Sequence, residues 1–242
     1  NIPANVTSIE SSAFLGCSSL TRVDISDLSA WYNIDFIDPT ANPLCNGAKL
    51  YLNNNEVTEI TIPSDITKIG YTFTGCGSLT RVNIPDSVTE ILGRAFYYCE
   101  SLTSVNIPDS VTSIGHDAFA GCSSLTRVDI SDLSAWCKID FGNNANPLCN
   151  GAKLYLNNNE VAELAIPSDI TEIKTNAFYG CISLTGVNIP DSVTSIGDSA
   201  FASCSSLTSI NIPDSVTSIG VSAFNSCNSL ASITIPDSVT SI

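Results

Sequence analysis

The chain has 242 residues, of which 43% are hydrophobic and 14% charged, a balance that supports a sizeable core and excludes a disordered tail. Nine Lys and Arg residues against 24 Asp and Glu residues leave a formal net charge of −15. This charge repels nucleic-acid phosphates, so we expect no nucleic-acid partner. No apolar run reaches the roughly 18 residues of a membrane span, so we expect no membrane insertion by this segment.

The two ends of the chain both fall within a recurring pattern. The sequence starts at Asn1, contains no Met and stops at Ile242 in the middle of a repeat. We interpret it as a fragment of a longer protein. Terminal repeats without a polar capping unit predict end-to-end self-association or frayed terminal coils.

An Ile-Pro dipeptide, or its variant Ile-Ser, divides the chain into ten units. Most units are 22 or 23 residues long, and two longer ones, 25–61 and 130–165, span 37 and 36 residues. The pattern predicts a single repeat domain over residues 1–242. The units start near Ile2, Ile25, Ile62, Ile84, Ile107, Ile130, Ile166, Ile189, Ile212 and Ile235.

Each regular unit carries two extended pieces and one turn, as in 189–211. Apolar residues two apart before the Pro predict a strand with one buried face, which the Pro ends. Val193 and Ile196 predict a second, shorter extended piece. Ala200, Phe201 and Cys204 have the i, i+3 spacing of a helical turn. One unit cannot hide these faces alone, so we predict a stacked solenoid with Ile/Val, Phe and Cys columns.

The full motif resembles a known repeat class. Leu-x-x-Ile-x-Ile-Pro-x-x-Val-x-x-Ile-Gly-x-x-Ala-Phe-x-x-Cys-x-x-Leu is similar to the BspA-like leucine-rich repeats of bacterial surface and secreted proteins. The resemblance implies an α/β, right-handed leucine-rich-repeat solenoid of about ten coils. It has a parallel sheet on one face and short helical turns and loops on the other. It also implies an extracellular or cell-surface location and a role in adhesion or binding.

The two long units belong to a duplicated block, because 17–31 recurs unchanged at 122–136 and 41–57 at 145–161. In each, a Ser-Asp-Leu-Ser-Ala-Trp segment replaces the helical turn and predicts a short helix, with Ser26 or Ser131 as its N-cap. An Asn-rich stretch after it predicts a β-hairpin. A hairpin that covers the Trp is favoured over a hairpin that binds a ligand.

Ten cysteines raise the question of disulfides or metal. Seven follow a Phe by three residues and predict an inward column of parallel side chains, which favours buried free thiols over disulfides or a metal site. Cys45, Cys137 and Cys149 lie off the column. The seven column residues are Cys17, Cys76, Cys99, Cys122, Cys181, Cys204 and Cys227.

Catalytic residues are sparse. The single His, His116, falls in a variable turn that we expect to face solvent, which leaves Ser and Cys without a general base. Asp residues recur at one repeat position, and their role in a turn is favoured over calcium binding. We therefore predict no enzyme, no metal and no cofactor. The recurring residues are Asp86, Asp109, Asp191, Asp214 and Asp237.

The outward residues of the strands are the remaining candidates for recognition. Three arginines stand out against the acidic composition, although charge balance is favoured over ligand contact for them. We predict a non-catalytic binding or adhesion module for a protein or glycan partner, with a structural spacer as the alternative. The candidate ligand-binding residues are Arg22, Asp24, Arg81, Asn83, Arg127 and Asp129.

Overall fold

A computed structural model describes residues 1–242 and shows the predicted solenoid, in which successive coils place short strands side by side. The first row of parallel strands, named here the strand face, contains ten of them. Apolar side chains of this row point inward and alternate with exposed ones. The strand face consists of Arg22–Ile25, Lys49–Leu52, Glu59–Thr61, Arg81–Asn83, Ser104–Asn106, Arg127–Ile130, Lys153–Leu156, Glu163–Ala165, Gly186–Asn188 and Ser209–Asn211.

A second row of two-residue parallel strands follows a Pro-containing turn in the regular coils and the Ser-Asp-Leu-Ser-Ala-Trp segment in the two long units. Pro ends the strand-face pairing because it has no N–H to donate. The chain then bends before it forms the second extended piece. The second row contains Ser8–Ile9, Asp35–Phe36, Lys68–Ile69, Glu90–Ile91, Ser113–Ile114, Asp140–Phe141, Glu172–Ile173, Ser195–Ile196 and Ser218–Ile219.

Both predicted hairpins are confirmed. Lys49–Leu52 pairs antiparallel with Asn55–Glu56, and Lys153–Leu156 pairs with Asn159–Glu160. Asn-Asn turns with positive φ close them, as a two-residue hairpin with the right twist requires. The hairpins do not leave the solenoid, because the first strand of each continues the strand face. The second strand of each hairpin is the last strand of its sheet, and a new sheet begins after it. The two hairpins therefore divide the strand face into three sheets.

The predicted helical turn at Ala-Phe-x-x-Cys is wrong. Only Tyr71–Phe73 forms a 3-10 helix there, and the other coils make successive reverse turns. Phe201 N donates to Ala223 O of the next coil at 2.9 Å, so the turns of neighbouring coils bond to each other. The residue before the Cys adopts a left-handed conformation, with φ of 61° at Ser203, which a helix excludes.

Two short α-helices occur where the long units were expected to have them, at Leu28–Tyr32 and Leu133–Cys137. The predicted Ser N-caps are wrong. Asp27 caps the first helix because its carboxylate accepts from Ser29 N at 2.8 Å, and the second helix is capped in the same way. The helix follows the first strand row and does not replace the Ala-Phe-x-x-Cys turn. Short 3-10 helices at Pro39–Ala41, Pro43–Asn46 and Pro147–Asn150 complete the long units.

One cluster of 64 buried hydrophobic residues fills the interior from Ile9 to Ala223, and Ile235 and Val239 of the last unit pack against it partly buried. The predicted Phe column is confirmed by stacked rings, such as Phe73 on Phe96 at 5.8 Å and Phe178 on Phe201 at 5.4 Å. Five column cysteines are buried and Cys227 is half-buried. The prediction of burial is wrong for Cys17, on the first coil described, which is exposed. None of the helices has the length and apolar character needed to cross a bilayer.

Candidate functional site

The central sheet of the strand face forms the floor of an open groove of about 930 Å³. Strand pairing places Arg81 beside Ser104 and Ser104 beside Arg127, so the two arginines lie two strands apart, about 10 Å. The groove brings together four of the six predicted residues: Arg81, Asn83, Arg127 and Asp129.

Arg127 is held through its Nε and Nη2 by its own coil and by the hairpin beside it. Its Nε donates to both carboxylate oxygens of Asp129, at 2.9 and 2.8 Å, and its Nη2 donates to Asn158 Oδ1 at 3.0 Å. The guanidinium carbon lies 4.0 Å from the centre of the Tyr155 ring. The hydrogen bond to Asp129 raises the pKa of Arg127. The Nε and Nη2 groups of this arginine are therefore already bonded within the protein and are not available to a ligand.

Arg22 and Asp24 repeat this arrangement in a different sheet, away from the other four residues. Arg22 Nε donates to Asp24 at 2.8 Å, Nη2 donates to Asn54 at 2.9 Å, and the guanidinium stacks on Tyr51 at 4.0 Å. The bond from Arg22 lowers the pKa of Asp24. The structure thus separates the six predicted residues into a pair and a group of four.

Arg81 differs from the other two arginines because it forms no ion pair and no side-chain hydrogen bond. It is exposed, and its neighbours in strand register are Glu59 and Ser104. No Tyr stands beside it, since it lies on a regular coil without a hairpin. Asn83 is also exposed and its side chain is unpaired. Arg81 is therefore the available cation of the groove.

Sequence reasoning missed the wall of the groove. Asn157 and Asn158, at the tip of the second hairpin, line the groove at one end together with Ser131. The predicted hairpin was the signal that could have located them. Locating the two asparagines also requires the register of the hairpin on the sheet. That register is set by the parallel pairing of Lys153–Leu156 with Arg127–Ile130, which the sequence alone does not give.

Other candidate chemistry is dispersed over the surface. The structure contains no group of three or more His, Cys, Asp or Glu side chains placed to hold a metal ion. Asp109 accepts from Ser131 Oγ of the next coil at 2.9 Å, a contact between neighbouring coils. His116 is exposed, as predicted. All ten cysteines are free thiols, and in the column the Cys99 thiol donates to Phe73 O at 3.2 Å.

The chain matches a family model described as the BspA type leucine rich repeat region, in six copies over residues 1–35, 47–144 and 151–242. The unmatched stretches contain the 3-10 segments of the long units. No curated protein sequence matches the chain.

Solved structures show the same architecture. A leucine rich cell surface protein from Faecalibacterium prausnitzii A2-165 is 30% identical with a TM-score of 0.59, and the match covers 100% of this chain and 68% of that protein. The pneumococcal vaccine antigen PcpA is 21% identical with a TM-score of 0.55, covering 99% of this chain and 56% of that one. The second match supports the fold alone.

Proposed function

We propose that this chain, which belongs to the BspA type leucine rich repeat family, is a non-catalytic binding or adhesion module at a bacterial cell surface. Its strand-face groove binds a protein or glycan partner through Arg81. The location is supported by the resemblance to a cell surface protein of Faecalibacterium prausnitzii. Fold alone does not assign a partner, so we infer binding from the groove.

The observation that carries the proposal is the contrast between Arg81 and the two other strand-face arginines. Arg22 and Arg127 are each held by an Asp, an Asn and a Tyr. Arg81 is exposed and unpaired in a groove that also presents unpaired Asn83 and Ser104. A free guanidinium fork is suited to a carboxylate or sulfate group of a partner. In a chain of net charge −15, such a free cation is rare.

Replacing Arg81 with Ser tests the proposal. We expect Arg81→Ser to keep the fold, because Ser104 occupies the equivalent position in the next coil. For a carboxylated or sulfated ligand identified on an array of glycans and extracellular proteins, affinity should fall about ten- to hundred-fold, since a charge-assisted hydrogen bond contributes about 1.5–3 kcal/mol. Surface plasmon resonance measures the change.

Arg94→Ser is the matched control. Arg94 lies on the row of turns, which is the series of reverse turns that the Ala-Phe-x-x-Cys segments form in successive coils. It faces Asp117 at 3.6 Å, outside the groove, so its loss should not change the affinity. An unchanged affinity of Arg81→Ser would remove the groove from the binding site. Absence of reproducible binding to any array member would favour the alternative, a structural spacer that holds another domain of the parent protein.

A further inference from the structure

We infer that the row of turns carries a second binding site, separate from the strand-face groove, for a short uncharged oligosaccharide that stacks on Tyr98. Tyr98 has an unfavourable backbone conformation and lies beside an open cleft. The corresponding cleft of the duplicated block has different residues at its rim.

Tyr98 has a left-handed backbone with φ of 56°. Bulky side chains rarely adopt this conformation, and the other coils place glycine or serine at this position. Tyr98 is nevertheless 50% exposed. Packing in the core therefore does not explain why a tyrosine occupies this position. The equivalent positions are Gly16, Gly75, Gly121, Gly180, Ser203 and Ser226.

The neighbours of Tyr98 hold its ring in place. Tyr97 packs edge-on against it, with ring centres 4.4 Å apart and an angle of 85° between the planes. Gly121 supports it from the following coil, because a Cβ at that position would lie 2.9 Å from the ring. The ring is thus a fixed aromatic platform at the surface.

An open cleft of about 600 Å³ lies beside this platform, within the size range of small-ligand sites, about 300–1,000 Å³. Lys49 and Glu56 form an ion pair at 3.0 Å on its lining, and their charges cancel. Glu100 lines the cleft as an exposed carboxylate without an ion pair. Ser101 adds an unpaired hydroxyl.

The duplicated block provides an internal comparison. The floor of the cleft consists of Cys45, Gly47, Lys49 and Glu56. The duplicated block has the same residue types at the corresponding positions, Cys149, Gly151, Lys153 and Glu160. The rim differs at the three positions that matter for a ligand. Gly77, Tyr98 and Glu100 of the first cleft correspond to Ile182, Ser203 and Ser205.

Ile182 covers the second floor. It is 37% exposed, and its Cδ1 reaches within 3.9 Å of where a Cβ on Gly151 would lie. Space remains above the first floor, because a Cβ on Gly77 would meet nothing within 4 Å. Only the first block therefore combines an open cleft with an aromatic platform and a free carboxylate.

These groups fit a neutral sugar. The apolar C–H face of a pyranose ring packs on an exposed aromatic ring, and its hydroxyls donate to a carboxylate and exchange hydrogen bonds with serine. The free carboxylate of Glu100 and the net charge of −15 oppose acidic saccharides. The site therefore selects an uncharged oligosaccharide over a sialylated or sulfated one.

The experiment measures binding of four probes to the intact chain by calorimetry and saturation-transfer NMR. Maltotriose, cellotriose and triacetylchitotriose are the neutral probes, and sialyllactose is the acidic one. Tyr98→Ser and Gly77→Ile each copy the residue of the duplicated block, and Tyr179→Ala is the control, a tyrosine on the same row of turns outside the cleft. We expect at least one neutral probe to bind, with affinity reduced at least ten-fold by each of the two cleft variants and unchanged in the control.

The melting temperature separates binding from folding. Tyr98→Ser should leave it unchanged or raise it, because serine is already accommodated with φ of 61° at Ser203. Loss of binding with a retained melting temperature supports the site. Failure of all three neutral probes to bind, or equal affinity of Tyr98→Ser and the parent chain, would overturn it.

Discussion

Raising the pH from 9 to 11 should remove most of the stability of this protein. Burial raises the pKa of Cys76 to about 11 and the pKa values of Cys122, Cys137 and Cys181 to about 12. In the unfolded chain the same thiols ionise near their ordinary pKa of 9.0. Between these values the unfolded state loses protons that the folded state retains, so the free energy of unfolding falls as the pH rises.

The expected effect is large because several thiols act together. Each contributes a loss of about 1.4 kcal/mol per pH unit above pH 9. The four thiols together therefore lower the free energy of unfolding by roughly 5 kcal/mol per pH unit, against a total stability of about 5–15 kcal/mol for a typical domain. Below pH 9 the thiols are protonated in both states and this contribution is fully present. Urea unfolding at pH 8, 9, 10 and 11 measures the slope.

Cys122→Ala identifies the source of the pH dependence. The variant should lose some stability at pH 8, because Phe96 O loses the donor that lies at 3.2 Å. Its slope above pH 9 should be shallower than that of the parent by about 1.4 kcal/mol per pH unit. Cys17→Ala, at an exposed position, should keep the parental slope. Lys and Tyr titrations are common to all three proteins, so equal slopes in all three would contradict the explanation.

Asn146→Ala should destabilise the protein by about 3 kcal/mol or more. The Asn146 side chain is 1% exposed and joins two coils. Its Nδ2 donates to Asn176 O at 2.8 Å and Ala177 O at 3.0 Å, and its Oδ1 accepts from Leu148 N at 3.0 Å. Alanine leaves the buried Leu148 N–H without a partner and removes one of the two hydrogen bonds at each of the Asn176 and Ala177 carbonyls, which keep Tyr179 N and Trp136 Nε1 as donors.

Two further variants test the explanation by urea unfolding. Asn42→Ala should show a similar loss, because Asn42 is 0% exposed and makes the same three contacts in the first block. Asn143→Ala should change the stability by less than about 0.5 kcal/mol, since the side chain is exposed and unpaired. If Asn146→Ala cost no more than Asn143→Ala, the buried amide would not hold the coils together.

The sequence allowed the strand rows to be predicted because the alternation of apolar residues before each Pro has the period of a strand. The helical turn was wrong because i, i+3 spacing is common to helices and to consecutive turns. The recurrent Gly or Ser before Cys was the distinguishing signal, since a left-handed residue excludes a helix. Asp27 was passed over as an N-cap because Ser26 precedes it and both residue types cap helices.

The candidate site was only partly predictable. Alternation identified Arg22, Arg81 and Arg127 as outward-facing, but it could not show which of them is free. That distinction depends on Tyr155 and Asn158 in the second hairpin, and on their counterparts in the first, which reach an arginine only through the parallel register of the adjoining strands. Arg81 lies beside no hairpin, and it also has Asn83 two residues on, where the other two arginines have the Asp that holds them. Both differences leave its guanidinium unpaired.

A crosslinking experiment shows whether a partner occupies the strand-face groove. A photoreactive benzoylphenylalanine is placed at Ser104, on the groove floor, or at Ser195, in the second strand row. Each protein is irradiated with a ligand identified on the array. We predict a crosslink from position 104 and none from position 195. A crosslink from position 195 alone would place the partner outside the strand-face groove.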